Sequence, residues 1–405
     1  MVRLLLMVLP LCLLACSNES TGPESPTPVR AATSGERAVL RANTDFGFTL
    51  FRTTAAVATD ENLFLSPLSV SMALGMTANG AAGETAQAMR LALAQQGLSS
   101  TEINQSYRSL IDLLRGTDPR VRFNIANGIW NRAGFVPEQA FIDSNRFYFD
   151  ADVRTLDFSR ADAADIINAW VSQKTQGKIP AIVAPPIPPL TVMYLINAMY
   201  FKGTWATQFD PARTRDDVFK APGDRDIPVK MMNGNADIRY LKDQLAEVVD
   251  LPYGWDRYSM AILLPRPDVT LATLRDALRP AQWQTWQEAM HETAMDLQIP
   301  RFTMEYETSL NDILASMGMG IAFDPSHADF SGISRQMELF ISQVKHKTFV
   351  QVNEEGTEAA AATSVEIGTT SVPQVFRVDR PFVFVIHERN TGAILFIGQV
   401  TAPRE

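Results

Sequence analysis

Glu354-Glu355-Gly356-Thr357-Glu358-Ala359-Ala360-Ala361-Ala362-Thr363-Ser364-Val365-Glu366-Ile367 is the stretch on which the reading of this chain turns. Laid out as a strand, its side chains alternate between two faces. One face carries Thr357, Ala359, Ala361, Thr363, Val365 and Ile367, all small or apolar and none charged. The other carries Glu358, Ala360, Ala362, Ser364 and Glu366 and takes both charges. That pattern suits a strand buried on one side. Four consecutive alanines favour a helix instead, while Thr363, Val365, Ile367, Thr369 and Thr370 are β-branched and crowd a helical turn. By itself the stretch leaves helix and strand open. Gly368-Thr369-Thr370-Ser371-Val372-Pro373 follows and reads as an exposed loop. A segment suited to both loop and strand suggests a switch.

Working outward, 405 residues make one large domain or two ordinary ones. A hydrophobic content of 46% with 20% charged residues is globular. The net charge of -9, with no run rich in Lys or Arg, argues against nucleic acid as a partner. Both cysteines, Cys12 and Cys16, lie in the N-terminal apolar segment, so the body has no thiol, disulfide or cysteine metal site. His291, His327, His346 and His387 show no ligand spacing, and neither metal nor cofactor is expected. There is no G-x-S-x-G elbow, H-E-x-x-H, P-loop or G-x-G-x-x-G, so the expectation is a protein that is not an enzyme.

Residues 1–16 read as an export signal, with Arg3 as the positive flank and an apolar run over 4–14 too short to span a bilayer. The run ends Leu13-Leu14-Ala15-Cys16, which resembles the lipobox of bacterial lipoproteins. That implies cleavage before Cys16, a lipid on its thiol, and anchorage at the outer membrane or cell surface. Residues 17–35 are polar and proline-rich and read as a flexible tether.

Along 36–405 the pattern predicts helices over 36–58, from Ser66-Pro67 onward, and over 86–93, 102–114, 137–147, 161–175 and 308–317. It predicts strands over 121–131, 191–201, 246–251, 258–264, 294–304, 338–352, 382–388 and 393–400. Pro185-Pro186-Ile187-Pro188-Pro189 forces an extended connection. Helices cluster early and long strands late, so the fold class is α+β.

Five stretches then carry a family resemblance. They are Asn62-Leu63-Phe64-Leu65-Ser66-Pro67-Leu68-Ser69-Val70; Asn168-Ala169-Trp170-Val171 with Lys174-Thr175-Gln176-Gly177-Lys178-Ile179; Asn197-Ala198-Met199-Tyr200-Phe201-Lys202-Gly203-Thr204-Trp205; Glu354 to Thr363; and Arg380-Pro381-Phe382-Val383-Phe384. In this order and spacing they resemble the serpins, from about Gly35 to Pro403. The resemblance implies three β-sheets, eight or nine helices and an exposed reactive-centre loop at about 354–379. It implies a monomeric suicide-substrate inhibitor. A target serine protease attacks the loop and forms an acyl-enzyme, and the cut loop enters the large sheet as a new central strand. Insertion of this loop is a standard example of strand addition and of strain released by a switch.

Site residues follow from the same resemblance. The hinge is Glu354, Gly356, Thr357, Glu358, Ala359, Ala360, Ala361 and Ala362. The scissile bond is Thr370-Ser371 by the family's spacing, or Thr369-Thr370 one residue earlier. A small uncharged residue before the cut argues for an elastase-like or subtilisin-like target. Ser66, Ser69, Asn197 and His346 match the shutter, the polar cluster under the point where the sheet opens; Ser66 also suits a helix cap. Trp205 matches the breach where the loop enters, or is a plain core aromatic. Arg301 is expected to pair with Glu354 or stay solvated. The would-be buried face of the loop has no charge, which favours an inhibitor. A non-inhibitory binding module and a cross-class inhibitor of a cysteine protease are the alternatives.

Overall fold

A computed structural model describes residues 30–115, 118–357 and 374–405. Cys16, Glu358, Ala359, Ala360, Ala361, Ala362, Thr370 and Ser371 therefore lie outside the described residues. The chain opens on α1 (Ser34–Val57), which Thr33 and Glu36 start with a reciprocal capping box. The short β1 (Leu63–Leu65) leads into α2 (Pro67–Ala78), capped by Ser66 with Pro67 in its first turn. Next come α3 (Gly83–Ala92) and α4 (Ser100–Leu114), the latter opened by a Ser99/Glu102 capping box. Then follow β2 (Val121–Arg132), α5 (Gln139–Phe149), β3 (Ala151–Leu156), α6 (Ala163–Lys174) and β4 (Met193–Thr204).

The middle of the chain holds β5 (Arg215–Ala221), β6 (Arg225–Lys242), β7 (Ala246–Tyr253), β8 (Tyr258–Pro265), α7 (Leu271–Ala277) and α8 (Pro280–Ala289). The last third holds β9 (His291–Pro300), β10 (Phe302–Ser309), α9 (Asn311–Leu314), β11 (Lys345–Asn353), β12 (Gly356–Thr357), β13 (Gln374–Arg377), β14 (Phe382–Glu388) and β15 (Ile394–Val400).

Among the described residues the strands form two hydrogen-bonded networks. The six-stranded sheet runs β10-β11-β12-β4-β2-β3, and the other runs β1-β15-β14-β8-β7-β6-β9-β13 with β5 also on β6. The two smaller sheets of the expected three are fused into the second network. The long β6 pairs with β5 near its start, with β7 at its end, and with β9 between. Most apolar side chains share one core, while α6 makes a separate small one with β2 and β4 through Trp130, Ile167, Trp170, Ile196 and Ala198.

Four expectations are corrected. The strand expected over 294–304 is two, because the chain breaks at Pro300-Arg301 and β9 and β10 enter different networks. The strand expected over 338–352 begins only at Lys345. The helix expected over 308–317 starts at Asn311, because Thr308 and Ser309 finish β10 against His346 and Lys345. Residues 30–35, expected as part of a tether over 17–35, belong to the folded body. Arg30 donates to Glu36 at 2.8 Å and to Ser109 at 2.8 Å, and Ser34 already begins α1. Among the described residues no helix is long and apolar enough to cross a membrane.

Candidate functional site

The first residues of the hinge are already in the sheet. Gly356 and Thr357 pair with Asn353 and Val352 on β11 and with Thr204 and Gly203 on β4. Among the described residues β4 and β11 share no ladder of their own; β12 is what joins them. The approach is close. A Cβ on Gly356 would stand 2.0 Å from the Gly203 carbonyl oxygen, and Gly356 sits at φ +147°. Only glycine tolerates both. Gly203 is equally confined, since a Cβ there would stand 2.6 Å from the Tyr253 ring.

Around this crossing lies Trp205, the residue matched to the breach. Trp205 stacks on Tyr253 with ring centroids 4.4 Å apart and an interplanar angle of 9°. Its indole N–H donates to the Asn353 carbonyl at 2.9 Å, and its backbone N–H donates to the Glu355 carbonyl at 2.8 Å. Phe209 N–H donates to the Glu354 carbonyl at 2.9 Å. The Thr357 side chain is buried and shares a 2.7 Å hydrogen bond with the Tyr253 hydroxyl. Burial holds that phenol above its ordinary pKa, so it stays a neutral partner.

Glu354 is buried to 4% exposure, and Arg301 reaches it as expected. Arg301 Nε donates to the two carboxylate oxygens at 2.7 and 2.8 Å, and the Thr214 hydroxyl donates to one of them. Burial alone raises this carboxyl; the Arg301 and Thr214 hydrogen bonds outweigh it, and the group is held below the ordinary range. The hinge is thus anchored by a charge at one end and a hydroxyl at the other. Reversing one charge tests the anchor. Arg301→Glu should destabilise the native chain by less than the ~3–5 kcal/mol of a fully buried pair, because Arg301 is itself about one-third exposed. Adding Glu354→Arg should restore a good part, measured by urea unfolding; a double variant no more stable than Arg301→Glu would remove the pairing.

The shutter residues divide between two groups. Ser66 N–H donates to His346 Nε2 at 3.0 Å, and its hydroxyl donates to the Leu395 carbonyl at 2.8 Å while capping Ser69 N–H. Ser66 therefore caps α2 and also holds His346 and the Leu395 carbonyl. Thr348 Oγ1 donates to the Phe64 carbonyl at 2.5 Å on the same side. Asn197 is not joined to this group. Its Nδ2 donates to Asn127 Oδ1 at 2.7 Å on β2, and Asn127 donates to the Phe149 carbonyl at 2.6 Å. Two contacts with sulfur cross between the groups: the Ser66 hydroxyl lies 3.2 Å from Met199 Sδ on β4, and Asn197 Nδ2 lies 3.8 Å from Met72 Sδ on α2. Parting β4 from β11 keeps the Ser66–His346 and Asn127–Asn197 bonds but stretches the Ser66–Met199 contact.

Sequence reasoning missed Tyr253, Thr214 and Asn127, and gave Gly203 no role beyond its motif. Tyr253 ends β7, in the other network, and no local signal brings it to Trp205. Asn127 sits at a core-facing position of β2, opposite Asn197 in register. An asparagine inside an apolar alternation was the available sign.

The six-stranded sheet thus has its two halves bridged at one end by the two residues of β12. The chain belongs to the serpin family: the model for Serpin (serine protease inhibitor) matches residues 41–403. Neuroserpin from Rattus norvegicus is 35% identical over 361 residues, covering 86% of this chain and 88% of its own. Among solved structures, the thermophilic serpin tengpin in its native state is 32% identical with a TM-score of 0.83, covering 93% of this chain and 97% of its own. Human thyroxine-binding globulin is 29% identical with a TM-score of 0.84, covering 92% and 100%. Serpins are inhibitors or binding proteins and not catalysts, and the inhibitors form complexes with target proteases.

Proposed function

We propose that this chain is a suicide-substrate inhibitor of serine endopeptidases. The seated hinge is the observation that carries the reading. β12 already occupies the position between β4 and β11 where a longer strand would lie. Continuing its antiparallel register three residues brings Ala360 opposite Tyr200 on β4 and Phe349 on β11. Ala359 and Ala361 then follow Thr357 onto the core-facing side without charge, and their small side chains offer little obstruction.

The chemistry is the protease's own. Its serine oxygen attacks the Thr370 carbonyl carbon, the Thr370-Ser371 peptide bond breaks, and the amine leaves on Ser371. The ester that remains is trapped if insertion outruns its hydrolysis. A Thr before the cut suits elastase-like or subtilisin-like enzymes. Incubation with a panel of serine and cysteine proteases, read on a denaturing gel, tests this. The expected result is a covalent complex with a serine protease and a released peptide beginning at Ser371. Cleavage with no complex from any enzyme would favour the second reading, a ligand-carrying member, for which the likeness to thyroxine-binding globulin speaks.

The lipid on Cys16 completes the proposal, tethering the inhibitor to a membrane surface. Cys16→Ala should move the protein from the membrane fraction to the soluble one; persistent attachment would remove the tether from the account.

A further inference from the structure

The turn after α6 stands over the same gap between β4 and β11. Thr175 is buried and organises the turn: Lys178 N–H donates to its carbonyl at 3.0 Å and Ile179 N–H to its hydroxyl at 3.1 Å. Gly177, at φ +80°, lets the chain double back at the helix end. The turn carries Lys178 over the Phe349 ring, with the ammonium 4.7 Å from the centroid. Beneath lies a small cavity of about 10 Å³ whose lining includes Lys178, Tyr200, Phe349, Gln351 and Thr357.

The two ends of this contact belong to different halves of the sheet. The core of α6 is built from Trp130 on β2 and from Ile196 and Ala198 on β4. Phe349 sits on β11, which pairs with β10 on its far side. Lys178 therefore ties the β2/β4 half to the β10/β11 half at a level below Thr357. Any parting of the halves must stretch this contact, as it must the contact of the Ser66 hydroxyl with Met199 Sδ on β4.

We propose that Lys178 is a positioning residue whose contact with Phe349 clamps the two halves of the sheet and sets how readily they part. The claim about trapping rests on the reading that the loop enters between them; the claim about the clamp does not. A cation over an aromatic face is worth enough to change an opening equilibrium by about two- to fivefold at a partly exposed site. Lys178→Met keeps the alkyl stem and removes the charge. Lys178→Arg keeps the charge and the preference for an aromatic face.

Hydrogen exchange on the uncut full chain is the test. In Lys178→Met the amides of residues 349–351 and 199–201 should exchange about two- to fivefold faster, with α6 unchanged and Lys178→Arg at the wild-type rate. Wild-type exchange in Lys178→Met overturns the clamp. So does equal acceleration in both variants, which would assign the effect to packing, and so does acceleration spread evenly through α6. In the same preparation, pancreatic elastase nicks the wild-type loop and the unfolding temperature is read. A rise supports insertion, and Lys178→Met should then need fewer inhibitor molecules per elastase trapped. No rise sinks the insertion reading, while the clamp is still judged by exchange alone.

Discussion

Thr357→Arg should turn the inhibitor into a substrate. The variant is expected to be cut at the same bond, to form no covalent complex, and to leave the protease active. Thr357 is 3% exposed, lies between Gly203 and Val352, and bonds to a buried tyrosine hydroxyl. A guanidinium placed there is a buried charge without a partner, and breaking a buried ion pair, which leaves a comparable orphan, costs about 3–5 kcal/mol. Because this position is already seated in the uncut chain, the variant hinge is expected to leave the sheet, and insertion must then bury the charge anew; at 1.4 kcal/mol per tenfold, insertion slows by more than about a hundredfold. Hydrolysis of the ester then wins. Thr357→Ser keeps the hydroxyl and should trap nearly as well as wild type. The check is the ratio of inhibitor consumed to protease trapped, together with the denaturing gel. Unchanged trapping by Thr357→Arg would falsify insertion as the mechanism.

The second large effect is on acid stability. His346 is buried, and burial pushes its imidazole down to about 4. Its Nε2 accepts the Ser66 N–H, so the neutral ring carries its proton on Nδ1, and protonating Nε2 would set two donors against each other. In the unfolded chain the ring titrates near the ordinary ~6.5. Between those values the unfolded state holds a proton that the folded state refuses, so stability rises with pH. The contribution is fully present above about 6.5 and is lost as pH falls towards 4, on the order of 3 kcal/mol in all. About 2 kcal/mol of that goes by pH 5. Urea unfolding at pH 7.5 and pH 5 should therefore show a larger fall for wild type than for His346→Gln. Equal falls would mean that the ring is not held neutral by its burial.

How much of this was legible depends on how local each signal is. The start of α2 was readable because Ser66 and Pro67 act within one turn. β14 was placed at both ends because an apolar run buried on every side is bounded by Pro381 and by the turn at Asn390-Thr391. β6 was not seen: Asn233-Gly234-Asn235 reads as a turn, yet it lies inside an 18-residue strand where Phe209 fills the space a Gly234 side chain would need. The break at Arg301 was missed because a proline ends one strand without saying that the next joins another sheet. The Glu354 pair was anticipated from family position alone. The partner of Asn197 was not, because Asn127 meets it through strand register 70 residues away in sequence.

The strands that follow the reactive loop have a consequence of their own. Every residue of β14 and β15 is buried, and these strands lie inside the nine-stranded network with β1 and β8 on their flanks. A cut between Thr370 and Ser371 severs the covalent chain but not the body, since the C-terminal piece is the middle of a sheet. The nicked protein should run as one particle in native buffer and as two in detergent. On the proposed mechanism the peptide bond is a fuse and not a strut: breaking it would free the loop to travel while nothing falls away, and each molecule could do so once.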